Sequence, residues 1–108
     1  MPVDHMVWFK FKPEVSEQRI AKHLKNLESL RDLVPGTLAL HTGKNFTDRA
    51  QGFTHGLLVT FASKVTLRAY AEHPQHVAVA TSIRRDADVI AMDFEFAAAC
   101  GGSSHGAH

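Results

Sequence analysis

Residues 3–12 read VDHMVWFKFK, and they set the architecture of the whole chain. Val3, His5, Val7, Phe9 and Phe11 alternate with Asp4, Met6, Trp8, Lys10 and Lys12. A period of two with β-branched and aromatic residues is the pattern of a strand. Met6 and Trp8 make the second face apolar in its middle, so both faces of this strand need cover. Pro13 closes the strand.

Downstream, Ser16 is a good N-cap and Glu17 suits the positive end of a helix. Ile20, Leu24, Leu27 and Leu30 follow at helical spacing, with Leu33 and Val34 after them. This predicts an amphipathic helix of roughly five turns, stopped at Val34-Pro35-Gly36. Residues 37–42 (TLALHT) read as a second strand and residues 43–52 as a polar loop. Residues 54–62 (THGLLVTFA) read as a third strand, with His55, Leu57, Val59 and Phe61 on one face and Leu58 on the other. Ser63 caps a second helix, which His73-Pro74 interrupts, because proline disfavours helical geometry in the residue before it. Pro74 then suits the start of a new helical stretch, residues 75–86. Residues 88–96 (DVIAMDFEF) alternate as a fourth strand.

The order β-α-β-β-α-β is the ferredoxin-like split βαβ arrangement, an α+β fold with one antiparallel sheet and its helices on one side. The opposite face then carries Met6, Trp8 and Leu58. An apolar sheet face without a helical roof predicts a homodimer, sheet against sheet.

Composition narrows the function classes. The chain has 108 residues, 44% hydrophobic and 21% charged, with net charge +1, which suits one globular domain and lacks the basic footprint of a nucleic-acid binder. The domain is expected over residues 1–97, followed by a mobile Gly/Ser/His tail over 98–108. Cys100 is the only cysteine, so no intrachain disulfide can form, and a reducing, cytoplasmic setting is expected. Residues 1–12 carry Asp4, Lys10 and Lys12, unlike a signal peptide, and no apolar run approaches the ~20 residues of a membrane span.

Five segments together resemble the stress-responsive dimeric α/β-barrel (Dabb) family: residues 3–16, 34–44, 52–63, 69–80 and 88–95. The most specific is the Tyr-x-x-His-Pro-x-His run from Tyr70 to His76. The resemblance implies a ferredoxin-like protomer whose sheet packs on a partner's sheet to close a barrel. Family members include plant stress proteins and a plant polyketide cyclase that performs an aldol closure without a cofactor. The cyclase's catalytic tyrosine and histidine match Tyr70 and His76, and two further pocket histidines match His5 and His55. A pocket tyrosine on the first helix falls on Leu27 here, which implies a drier and differently shaped pocket.

The residue types fit proton transfer. Histidine titrates near neutrality and can take a proton from an activated carbon, while a tyrosine hydroxyl can donate to a developing oxyanion. His73 joins Tyr70 and His76 at i, i+3 and i+6, and with His5, His55 and Leu27 completes a candidate substrate pocket. Each residue also has a plain structural reading. Tyr70 and His76 can pack the Pro74 turn, His55 can be a buried histidine bonded to backbone, and His73 can cap carbonyls freed by Pro74. His23 and His41 read as surface residues; His105 and His108 lie in the tail. No metal site is expected, because Pro74 separates His73 from His76 and no cysteine or carboxylate joins them at a ligand spacing. Cys100 lacks a placed base.

Three functions follow. The first is a dimer that binds a small hydrophobic molecule and acts as a cofactor-free cyclase or isomerase. The second is a non-catalytic stress-response dimer, without a ligand-sized cavity of ~300 Å³ beside Tyr70. The third is a cofactor-free oxygenase like the antibiotic-biosynthesis monooxygenases, which share the dimeric barrel.

Overall fold

A computed structural model describes residues 1–97. The expected tail, with Cys100, His105 and His108, lies outside the described residues. The elements run β1 (Val3–Phe11), α1 (Glu17–Glu28), β2 (Thr37–Lys44), β3 (His55–Phe61), α2 (Lys64–Glu72), α3 (Pro74–Arg84) and β4 (Ala87–Glu95). The strands form one antiparallel sheet in the order β2-β3-β1-β4, the α+β ferredoxin-like arrangement expected from the order of the elements.

Strand β1 is central. It pairs β3 with His5 opposite Val59 and Phe9 opposite His55, and it pairs β4 with His5 opposite Asp93 and Met6 opposite Met92. The face carrying Val7, Phe9, Phe11, Leu57, Val59 and Phe61 is covered by the helices, and Ile20, Leu27, Tyr70 and Ile83 pack onto it. Each large side chain buried there contributes about 1.5–3 kcal/mol. The other face holds Met6, Trp8 and Leu58, and β4 extends it with Ile90, Met92 and Phe94, of which Met92 is 63% exposed. At one edge Phe53 packs on Trp8, and Lys10 Nζ lies 4.8 Å from the Phe53 ring centroid.

The caps explain the helix boundaries. Ser16 accepts from the Arg19 amide and Ser63 from the Thr66 amide, as their sequence positions predicted. The first helix is shorter than its apolar spacing suggested and ends at Glu28. The Ser29 hydroxyl donates to the Asn26 carbonyl, and the chain tightens into turns with Leu30, Arg31 and Leu33 amides bonding three residues back. Leu30 stays buried because these turns still lie against the sheet, so the apolar pattern outlasts the helix. The second helical stretch is two helices, with His73 in extended geometry between them, as Pro74 requires.

His23 corrects a sequence expectation. It is buried, not on the surface: its Nε2 lies 2.6 Å from Asp86 Oδ2, and Arg19 Nε donates to the same oxygen at 2.5 Å. Its ring stacks on Phe11 at 5.9 Å. The His23 and Arg19 hydrogen bonds hold the Asp86 carboxyl below its ordinary range. The cluster ties α1 to the turn that leads into β4.

Candidate functional site

The covered face of the sheet brings three candidate residues together at one end. Tyr70 enters from the last turn of α2, His76 from the first turn of α3, and His5 from β1. The Tyr70 and His76 ring centroids are 4.6 Å apart, and those of Tyr70 and His5 are 6.2 Å apart. The break at Pro74 makes this possible. A continuous helix would carry residue 76 round the axis on a fixed 100° step, whereas the extended His73 resets the direction of the chain.

His76 and Tyr70 are each held in one chemical form. The His76 Nδ1–H donates to the Ala71 carbonyl at 3.0 Å, which leaves Nε2 as the lone-pair nitrogen. Burial lowers the His76 pKa below 6.5, and the nearby His5 and Arg84 lower it further, against the Ala71 hydrogen bond. The ring is therefore a neutral base at pH 7. Burial pushes the Tyr70 hydroxyl up to about 12, so it stays protonated. That hydroxyl is buried and has no hydrogen-bond partner among the described residues. Leaving such a donor unpaired costs about 1–3 kcal/mol. His5 Nδ1 is bonded to the Asp93 carboxylate, which orients the ring.

Beside His5 and His76 lies a hollow of about 90 Å³, lined otherwise by Leu27, Ile83, Arg84, Val89 and neighbouring apolar residues. It is well below the ~300 Å³ expected of a pocket for a drug-sized ligand. Leu27 contributes an apolar wall. On the opposite sheet face, the 45–54 loop borders a larger hollow of about 380 Å³ lined by Met6, Trp8, Phe53 and Leu58.

His55 and His73 lie elsewhere. His55 sits four residues along the covered face from the level of His5, edge-on to Phe11 at 5.3 Å, and its Nδ1 lies 2.8 Å from Thr54 Oγ1. Burial lowers its pKa, and Lys44 adds to this. His73 Nδ1 accepts from the Gln75 amide at 3.1 Å and so caps the start of α3, rather than capping carbonyls. Asp93 and Arg84 were not foreseen as site residues. The alternation of β4 puts Asp93 on the same face as Val89 and Ala91, which was the available signal. Among the described residues, no three His, Cys, Asp or Glu side chains are grouped to hold a metal ion, and no helix is long and apolar enough to cross a membrane.

Residues 3–96 match the family profile described as the stress-responsive A/B barrel domain. The chain is 34% identical over 79 residues to olivetolic acid cyclase of Cannabis sativa, covering 71% of this chain and 78% of the cyclase. It is 34% identical over 97 residues to the stress-response A/B barrel domain-containing protein HS1 of Arabidopsis thaliana, covering 87% and 89%. Among solved structures, a dimeric ferredoxin-like protein of unknown function from Jannaschia sp. CCS1 superposes with a TM-score of 0.79 at 25% identity, covering 89% of this chain and all of that one.

Proposed function

The chain belongs to the stress-responsive A/B barrel domain family, and from that premise we propose that it is a homodimeric, cofactor-free acid–base catalyst acting on a small carbonyl compound. One observation carries the reading: the ring of Tyr70, whose buried hydroxyl has no partner among the described residues, packs 4.6 Å from a neutral His76 whose Nδ1, not Nε2, is hydrogen-bonded. In this reading His76 Nε2 takes a proton from the carbon next to the carbonyl. The Tyr70 hydroxyl donates to the oxygen as the enolate forms. The enolate carbon then attacks a second carbonyl within the same molecule, and His76 returns the proton to the new alkoxide. His5, oriented by Asp93, forms the third wall of the site. An aldol closure of this kind is balanced in protons and electrons and calls on no co-reactant.

The cyclase similarity supports the reaction class, while Leu27 and the small hollow argue for a substrate smaller than an aromatic polyketide. The dimer is supported by the apolar row on the open sheet face and by the dimeric relative of the same fold. In it, Met6, Trp8, Leu58 and Met92 face the partner's sheet.

Deuterium exchange into the α-carbons of butanone tests the chemistry. The protein accelerates exchange in D₂O at pH 7, and His76→Gln and Tyr70→Phe each reduce the acceleration by roughly 10²-fold. Variants that exchange as fast as the parent chain contradict the reading. A second reading, a non-catalytic stress-response dimer, is favoured by the small volume of the hollow. It predicts no acceleration by any variant.

A further inference from the structure

The hollow beside His76 has an unbalanced charge pattern. His5, His76 and Arg84 are its titratable lining groups, and the rest of its wall is apolar. Arg84 stands in the last turn of α3 with its side chain exposed. It forms no ion pair with any described residue. Asp86 takes Arg19 and His23, and Asp93 takes His5. Asp93 does not line the hollow. A planar guanidinium fork at the rim of an apolar recess therefore has no acid to hold among the described residues.

We propose that Arg84 makes this hollow a site for a short oxo acid, with the guanidinium binding the substrate's carboxylate at the rim while its carbonyl group reaches the Tyr70–His76 pair. Three features converge on that class of ligand. Guanidinium binds carboxylate with two parallel charge-assisted hydrogen bonds. Tyr70 does not line the hollow, but its ring lies 4.6 Å from that of His76, which does, so an acceptor oxygen carried past His76 would satisfy the partnerless hydroxyl. The volume of about 90 Å³ suits a few heavy atoms beyond the rim and not a ring system. A bound carboxylate would also offset the influence of Arg84 on His76 and make His76 a stronger base when substrate is present. The proposal builds on the proton-transfer step of the acid–base reading above, not on its ring closure, and specifies the carbon acid which that step takes.

The test titrates the full chain with acetoacetate and with 2,4-pentanedione, its neutral counterpart of equal heavy-atom count, following the imidazole signals of His5 and His76 by NMR. Acetoacetate binds about tenfold or more tightly than the diketone, as a charge-assisted contact implies. In Arg84→Gln the ratio of the two affinities falls to about one, and Arg84→Lys retains part of it. Diketone binding by each variant reports that the site is still folded. Equal affinities in the parent chain, or an undiminished ratio in Arg84→Gln, overturn the role of Arg84 alone. If neither probe shifts either imidazole, the acid–base reading falls together with it.

Discussion

At the scale of single residues, Tyr70 is where stability and chemistry oppose each other. A buried hydroxyl without a partner is a cost to the folded state that its ring's packing against Phe61 and His76 offsets. Tyr70→Phe keeps the ring and removes the unpaired group. Denaturant unfolding should show the variant equal to the parent chain or more stable by about 1 kcal/mol, while α-carbon exchange falls. A loss of stability would mean that the hydroxyl is satisfied in the folded protein. Much of this site was legible: the Tyr70-to-His76 run stands out in the sequence, and His5 falls on the covered face by simple alternation. The Asp93 partner of His5 was not read, since it depends on the register between β1 and β4, whose paired residues are 88 positions apart. His23 was misread as a surface residue. Yet it sits three residues after Ile20 and four before Leu27, inside the helix's own buried stripe.

At the scale of elements, the turn into β2 shows how backbone geometry constrains the scaffold. Gly36 has φ +96°, and a Cβ there would lie 2.8 Å from Thr66 Oγ1 on α2. Gly36→Ala combines left-handed strain with a clash, and thermal unfolding should show a loss of about 2 kcal/mol; an unchanged Tm would contradict this account of the turn. The end of α1 was harder to foresee. Leu30, Leu33 and Val34 keep helical spacing because the tight turns that follow Glu28 present side chains to the sheet much as a helix would, so hydrophobic periodicity alone overruns the helix. The Pro74 break was read correctly, since proline acts locally on its own ring geometry and on the residue before it.

For the whole molecule, the sheet divides its two faces between two tasks. The helix-covered face holds the candidate chemistry, all of it from one chain. The open face carries Met6, Trp8, Leu58, Ile90, Met92 and Phe94 and is the surface through which two copies associate in the proposed dimer. A charge in that row should separate them. Met92→Lys, at a position 63% exposed in the protomer, should sediment at the protomer mass of 11.9 kDa where the parent chain sediments at twice that; an unchanged dimer would place the interface elsewhere. The claim that matters most is the pairing of a neutral base with a protonated donor, and the pH profile of α-carbon exchange tests it most directly. Because burial lowers the His76 pKa, the base is active above that pKa and is lost on acidification. Because the Tyr70 pKa is pushed up to about 12, the donor survives well into alkaline pH. The account predicts a rate that rises through a single midpoint below pH 6.5 and then stays level through pH 9, with the rise absent in His76→Gln. A midpoint well above 6.5, a profile without a limb, or a limb that survives in His76→Gln would contradict it.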